Sequence, residues 1–123
     1  MKFASVRLAT NDVERLASFY ARLSGVPAAH LADGFAEVRL SGAVIAISAE
    51  ALIKKFNAGA VPAAANRSAI LEFEVEDVGA VLSALGSGAE VVQEPTVMPW
   101  GNRSLLLRDP DGSLVNVFSR PRP

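Results

Sequence analysis

An internal repeat constrains the fold of this 123-residue chain more than any other feature of the sequence. The segment 5–13 reads SVRLATNDV and aligns with the segment 70–78, which reads ILEFEVEDV, so that Asp77 stands 65 residues after Asp12. In both copies the aspartate is followed by apolar residues at i, i+3, i+4 and i+7, the spacing of one buried helix face. We therefore predict two copies of a strand followed by a helix. Asn11 or Asp12 in the first copy, and Asp77 in the second, are the expected N-caps.

The second half of each copy also matches. The run GAVIAI from Gly42 aligns with the run GSLVNV from Gly112, and the sequence DPDG at 109–112 is typical of a turn between two strands. Residues 57–68 are rich in Ala, Gly, Asn and Pro, and are expected to connect the copies. The prediction is an α+β fold in one domain, 1–123, built from two strand–helix–hairpin modules at 1–56 and 69–123.

Alternation along the predicted strands assigns their side chains to two faces. Apolar residues such as Leu8, Leu71 and Phe73 should pack beneath the helices, which leaves a helix-free face that mixes polar and apolar groups, as small-molecule sites do. The candidate ligand-binding residues are Arg7, Glu72, Glu74, Trp100, Asn102, Ser104, Leu106 and Asn116. The alternatives are that these groups face water, that Arg7 forms an ion pair with the two glutamates, and that Trp100 anchors a loop or a dimer interface.

The composition excludes several classes of protein. The net charge of −1 provides no basic patch for nucleic acid, and no apolar run reaches the roughly 18 residues that a membrane helix needs. Without cysteine there can be no disulfide, zinc–thiolate site or thiol nucleophile. We expect a cytoplasmic protein that binds neither nucleic acid nor membranes. The single histidine, His30, is expected in a surface loop after the first helix, and its role is left open.

The two copies, each with an aspartate after its first strand, and the segment 98–118 with its DPDG turn resemble the vicinal oxygen chelate superfamily. That superfamily includes glyoxalase I, extradiol dioxygenases, and fosfomycin- and bleomycin-resistance proteins. The resemblance covers nearly the whole chain. It implies paired βαβββ modules whose eight strands form a half-open barrel around a cavity, and it implies a homodimer.

The resemblance also implies a divalent metal held by His, Gln or Glu on the first and last strands of each module. In this chain the corresponding positions carry Ser5, Ala46, Ile70 and Asn116. A metal ion needs charge and strong donors to offset its lost hydration, so we predict no metal and no other cofactor.

Three functions are compatible with these features. The first is a small-molecule-binding protein of the bleomycin-resistance type that binds or sequesters an organic ligand without the metal. The alternatives are a divalent-metal-dependent lyase or dioxygenase of the same superfamily, and a metal-independent enzyme on that fold.

Overall fold

A computed structural model describes residues 1–122 and divides the chain into two compact units, Met1–Asn66 and Arg67–Pro123. The first unit contains β1 (Val6–Thr10), α1 (Val13–Ser24), β2 (Ala29–Ala32), β3 (Phe35–Leu40), β4 (Ala43–Ala49) and α2 (Glu50–Phe56). The second contains β5 (Ile70–Glu74), α3 (Val78–Leu85), β6 (Glu90–Val97), β7 (Arg103–Arg108) and β8 (Leu114–Ser119). Each unit thus has the order βαβββ, and the predicted α+β class and paired modules are confirmed.

Each module forms a mixed four-stranded sheet within residues 1–122. The strand order is β1-β4-β3-β2 in the first module and β5-β8-β7-β6 in the second. The first and last strands of each module run parallel, and the two hairpins add the antiparallel strands. In register, Arg7 lies opposite Ala46, and Glu72 lies opposite Asn116. The repeat seen in the sequence is therefore a repeat of topology and of register.

The predicted helix caps are present in both modules. The side chain of Asp12 accepts a hydrogen bond from the backbone N–H of Arg15 at 3.1 Å, and that of Asp77 accepts one from Ala80 at 3.2 Å. These bonds satisfy backbone donors that the first helical turn would otherwise leave without partners. Of the two residues proposed to cap the first helix, Asp12 is the one that does so.

The turn at 109–112 depends on a buried carboxylate. Asp109 is almost fully buried, and its Oδ1 accepts from the backbone N–H groups of Asp111 at 2.9 Å and Ser113 at 3.0 Å. Gly112 has a φ of +89°, which favours glycine because a side chain is strained in that conformation. These interactions fix the β7–β8 hairpin and so set the register of β8.

The fully buried positions of β7 and β8 match the prediction from alternation, whereas β4 buries Ile45, Ala46, Ile47 and Ser48 and so is buried on both faces. In the second module Leu105, Leu107, Val115 and Val117 are fully buried, on the strands that α3 contacts. In the first module α1 buries Leu16, Ala17, Tyr20 and Leu23, and the strands that it contacts bury Ala36, Val38 and Ile47. The opposite face is left for other contacts.

Two features of the first module differ from the sequence-based expectation. The α2 helix was not predicted, although Glu50 and Lys54 stand at helical spacing and form an ion pair at 3.2 Å. His30 lies on strand β2 and not in a loop. None of the helices in residues 1–122 has the length and apolar character that crossing a bilayer requires.

Candidate functional site

The helix-free face of the second sheet carries most of the predicted ligand-binding residues. In one row across the strands, Glu72 on β5 lies beside Asn116 on β8, which in turn lies beside Leu106 on β7. Paired residues on neighbouring strands point to the same face of a sheet, so these three side chains share one surface. The next row contains Glu74, Phe118 and Ser104.

A side-chain hydrogen bond joins the centre of the first row. Asn116 Nδ2 donates to Glu72 Oε2 at 2.8 Å. The other amide atom, Asn116 Oδ1, is buried and has no hydrogen-bond partner among residues 1–122. A buried acceptor without a donor is costly, so its presence beside a carboxylate marks this pair as a candidate binding site.

The second carboxylate of this face has a different partner. Glu74 Oε2 accepts from Arg120 Nε at 3.1 Å, and the Arg120 guanidinium lies 5.7 Å from the centre of the Phe118 ring. Both Glu72 and Glu74 therefore have partners within the second module.

The remaining predicted residues of the second module differ in accessibility. Leu106 and Asn102 are half-buried, whereas Ser104 is only 6% exposed and offers little surface to a ligand. Trp100 is 69% exposed in the turn between β6 and β7, a turn held by a 2.7 Å hydrogen bond from Met98 N–H to the carbonyl of Asn102. The indole is therefore available to stack on a planar or cationic group.

Arg7 is the one predicted ligand-binding residue in the first module. It is exposed on β1 and lies opposite Ala46, so the row equivalent to Glu72–Asn116 has a cation beside a methyl group. The equivalent positions of the two modules therefore differ in both charge and hydrogen-bonding capacity.

The residues at the four positions where the resemblance implies metal ligands do not fit a divalent metal. Ala46 and Ile70 have hydrocarbon side chains without a donor atom, and Asn116 could offer a metal only a neutral, buried amide oxygen. Ser5 is an exposed neutral hydroxyl that precedes β1. A doubly charged ion prefers imidazole or carboxylate donors in such sites. No group of three or more His, Cys, Asp or Glu residues within residues 1–122 could hold a metal ion.

A groove in the first module contains the histidine. It has a volume of about 400 Å³ and lies at the start of α1 beside the β2–β3 hairpin. His30 Nδ1 lies 3.4 Å from Glu14 Oε1, and Asp12 and Asp33 also line the groove. Sequence reasoning missed this pair because it placed His30 in a loop, where no neighbour could be assigned. A carboxylate can orient an imidazole for proton transfer, which gives the groove a possible acid–base chemistry.

The comparisons with known proteins agree on a family and a fold. Residues 2–117 match the family model of the Glyoxalase/Bleomycin resistance protein/Dioxygenase superfamily. A search of the curated proteins finds no match.

Solved structures with similar folds include a glyoxalase/bleomycin resistance protein/dioxygenase family enzyme from Burkholderia phytofirmans PsJN. It is 16% identical, with a TM-score of 0.82 over 97% of this chain and 98% of that one. A glyoxalase-related enzyme from Fulvimarina pelagi is 18% identical, with a TM-score of 0.82 over 98% and 88% of the two chains. A glyoxalase/bleomycin resistance protein/dioxygenase from Nocardioides is 23% identical, with a TM-score of 0.76 over 99% and 85%. At these identities the likeness concerns the fold alone.

Proposed function

Because the chain belongs to the glyoxalase/bleomycin resistance protein/dioxygenase superfamily, we propose that it is a small-molecule-binding protein that holds or sequesters an organic ligand without the family metal. The observation that carries this proposal is the chemistry of the ligand positions. Ala46 and Ile70 have no donor atom, and Asn116 provides only a neutral amide oxygen.

The free energy of binding would come from other groups on the same face. Leu106 and Phe118 provide half-buried apolar surface, and both are neighbours of Asn116, Leu106 across the strand pair and Phe118 two residues along β8. A mostly apolar surface with a few polar groups that fix orientation is the usual composition of a small-molecule site. In such a site, burial of the ligand's carbon atoms supplies affinity and the polar groups supply selectivity.

Metal content and ligand capture test the proposal together. The protein is purified without chelators, its content of Mn, Fe, Ni and Zn is measured by mass spectrometry, and extract-derived small molecules that co-purify are identified after denaturation. We expect substoichiometric metal, an organic molecule bound one to one, and a higher melting temperature when that molecule is added back. A stoichiometric divalent metal in the unaltered chain would contradict the proposal.

A variant that restores donors provides the positive control for the metal assay. Ile70→His with Asn116→Glu places an imidazole and a carboxylate at two of the four positions, both within the second module. This variant should retain more Ni²⁺ or Zn²⁺ than the unaltered chain under the same purification, because it supplies donors that these ions prefer.

The homodimer implied by the family is part of the same proposal. Light scattering on the eluting protein measures the molecular mass, and a dimer has twice the 12.9 kDa of one chain. A mass of one chain across the working concentration range would remove the dimer from the proposal and leave the binding function to be judged on ligand capture.

A second candidate function, a metal-independent enzyme, is favoured by the groove that contains His30 and Glu14. An imidazole 3.4 Å from a carboxylate can serve as a general base once a substrate lies against it. Incubation of the captured molecule with the protein separates the two functions. A binding protein returns it unchanged, whereas an enzyme converts it and loses that activity in His30→Asn.

A further inference from the structure

The hydrogen bond between Asn116 and Glu72 determines which atoms this row offers to a ligand. An ionised carboxylate can only accept hydrogen bonds, so the amide must turn its NH₂ group toward Glu72. The opposite orientation would place two acceptor oxygens against each other. The amide oxygen of Asn116 is therefore directed away from the carboxylate, to a buried position where no donor within residues 1–122 meets it.

The charge of Glu72 is also left uncompensated. Glu74 forms its ion pair with Arg120 at 3.1 Å, whereas no cationic side chain in residues 67–122 forms an ion pair with Glu72. Its Oε2 accepts from a neutral amide, and its Oε1 has no hydrogen-bond partner in the described chain. The row thus presents one full negative charge and one accessible acceptor group, the Glu72 carboxylate.

We propose that the ligand carries a monovalent organic cation with N–H donors, such as an ammonium, amidinium or guanidinium group, and that this group binds Glu72. The inference rests on the proposed function and names the class of ligand. The cation donates to Glu72 Oε1. Leu106, next to Asn116 in the register, contacts the carbon atoms of the ligand. Asn116 acts as a positioning residue because its NH₂ group holds the carboxylate in place.

The same chemistry explains why other ligand head groups are disfavoured. A carboxylate or phosphate would meet the uncompensated charge of Glu72 and would find only acceptors. A divalent metal ion would find a single carboxylate beside a neutral amide whose N–H side faces that carboxylate. A cation with several N–H groups matches both the charge and the direction of hydrogen bonding.

Three probes with one phenyl ring and different head groups test this inference. Benzamidine carries a cation with N–H donors, benzyl alcohol a neutral hydroxyl, and benzoate an anion. Each is titrated into ¹⁵N-labelled protein, and the chemical shifts of the Asn116 side-chain NH₂ group and of the backbone amides of Glu72 and Leu106 are followed. We expect benzamidine to move these signals at concentrations where benzoate leaves them unchanged.

Matched variants separate a local contact from a general effect of charge. Glu72→Gln should weaken benzamidine binding by about fivefold, as expected for loss of one partly exposed charge pair. Glu76→Gln removes the same charge from an exposed residue outside the sheet and should leave the titration unchanged. Glu72→Lys, which reverses the charge, should make benzoate the preferred probe. The spectrum of each variant without probe verifies its fold.

Each opposite result overturns the inference. If benzoate or benzyl alcohol shifts these signals as strongly as benzamidine, the ligand class is wrong, while the proposed binding function stands on ligand capture. If no probe shifts them, or if Glu76→Gln weakens binding as much as Glu72→Gln, the row does not recognise cations. If ligand capture succeeds and the captured molecule lacks a cationic nitrogen, the inference fails and the proposed function survives.

Discussion

At equivalent positions of the two sheets, the first module pairs Arg7 with Ala46 and the second pairs Glu72 with Asn116. The surrounding scaffold is the same, because strand order, helix caps and hairpin glycines match between the modules. Only the second pair can form a side-chain hydrogen bond, since the methyl group of Ala46 has neither donor nor acceptor. Repetition of a backbone therefore does not repeat its chemistry, which depends on one or two side chains per sheet.

The modules also differ after their last strands. In the first, β4 continues into α2, where the Glu50 carboxylate accepts a hydrogen bond from the backbone N–H of Ala63 and pairs with Lys54. In the second, β8 is followed by Arg120, which pairs with Glu74 on the helix-free face. The first module uses the residues after its last strand to hold the segment that contains Ala63, and the second uses them to neutralise one carboxylate of the candidate site.

Among the predicted differences between the two modules, a core substitution should have the largest effect on the free energy of unfolding. At the position where the first module buries Ala36, the second buries Leu105, and both are fully buried. Leu105→Ala should lower the free energy of unfolding by about 2–5 kcal/mol, because the space around it was filled by the larger side chain. Urea denaturation measures this loss. The exposed Val97→Ala serves as the control, with a change within about 0.5 kcal/mol. A similar small change in Leu105→Ala would show that the second core does not depend on that side chain.

The two helix caps should contribute comparable amounts. Asp12→Ala and Asp77→Ala should each lower the free energy of unfolding by about 0.5–2 kcal/mol, because each removes the acceptor for one N–H group at a helix start. Asp12→Asn and Asp77→Asn retain an acceptor oxygen and should lose less. The same denaturation assay compares all four variants. Unequal losses at the two aspartates would show that the repeat in sequence is not a repeat in energetics.

Asn116→Ala gives the second module the residue that the first has at Ala46. We expect its free energy of unfolding to change by less than about 1 kcal/mol, because the lost hydrogen bond frees an exposed carboxylate that water can solvate, and a buried unpaired acceptor disappears with it. Binding of the captured ligand, measured by calorimetry, should weaken, because Glu72 is no longer held in place. A loss of several kcal/mol in stability with unchanged binding would make Asn116 a structural residue.

The smallest effect concerns Glu50 in the first module. The hydrogen bond from the Ala63 N–H, and then the Lys54 ammonium, hold the pKa of this carboxyl below its usual 4.5. A lowered pKa in the folded state means that the stabilisation is present above the unfolded-state pKa and is lost as the pH falls through the folded-state value. Between pH 6 and pH 3 the unaltered chain should lose more stability than Glu50→Gln. Parallel pH profiles of the two proteins would contradict this role.

Local and repeated features could be predicted from the sequence. The caps at Asp12 and Asp77 and the turn glycine at 112 depend on residues a few positions apart, so composition and spacing suffice to locate them. The short α2 helix was missed, although the i, i+4 pair of Glu50 and Lys54 was a usable signal. The strand that contains His30 was also missed, because a strand of four residues is too short to show a clear periodicity.

Residue identity and periodicity are sufficient to predict the α+β class, the two βαβββ modules, the fully buried positions of β7 and β8, and the absence of donor atoms at Ala46 and Ile70. The contacts of Glu72 with Asn116 and of Glu74 with Arg120 join residues 44 and 46 positions apart and are seen only in the folded chain. Such pairings depend on strand register and side-chain rotamers, which no local pattern specifies. The candidate site therefore depends on the strand register, which places the Glu72 carboxylate opposite the Asn116 amide.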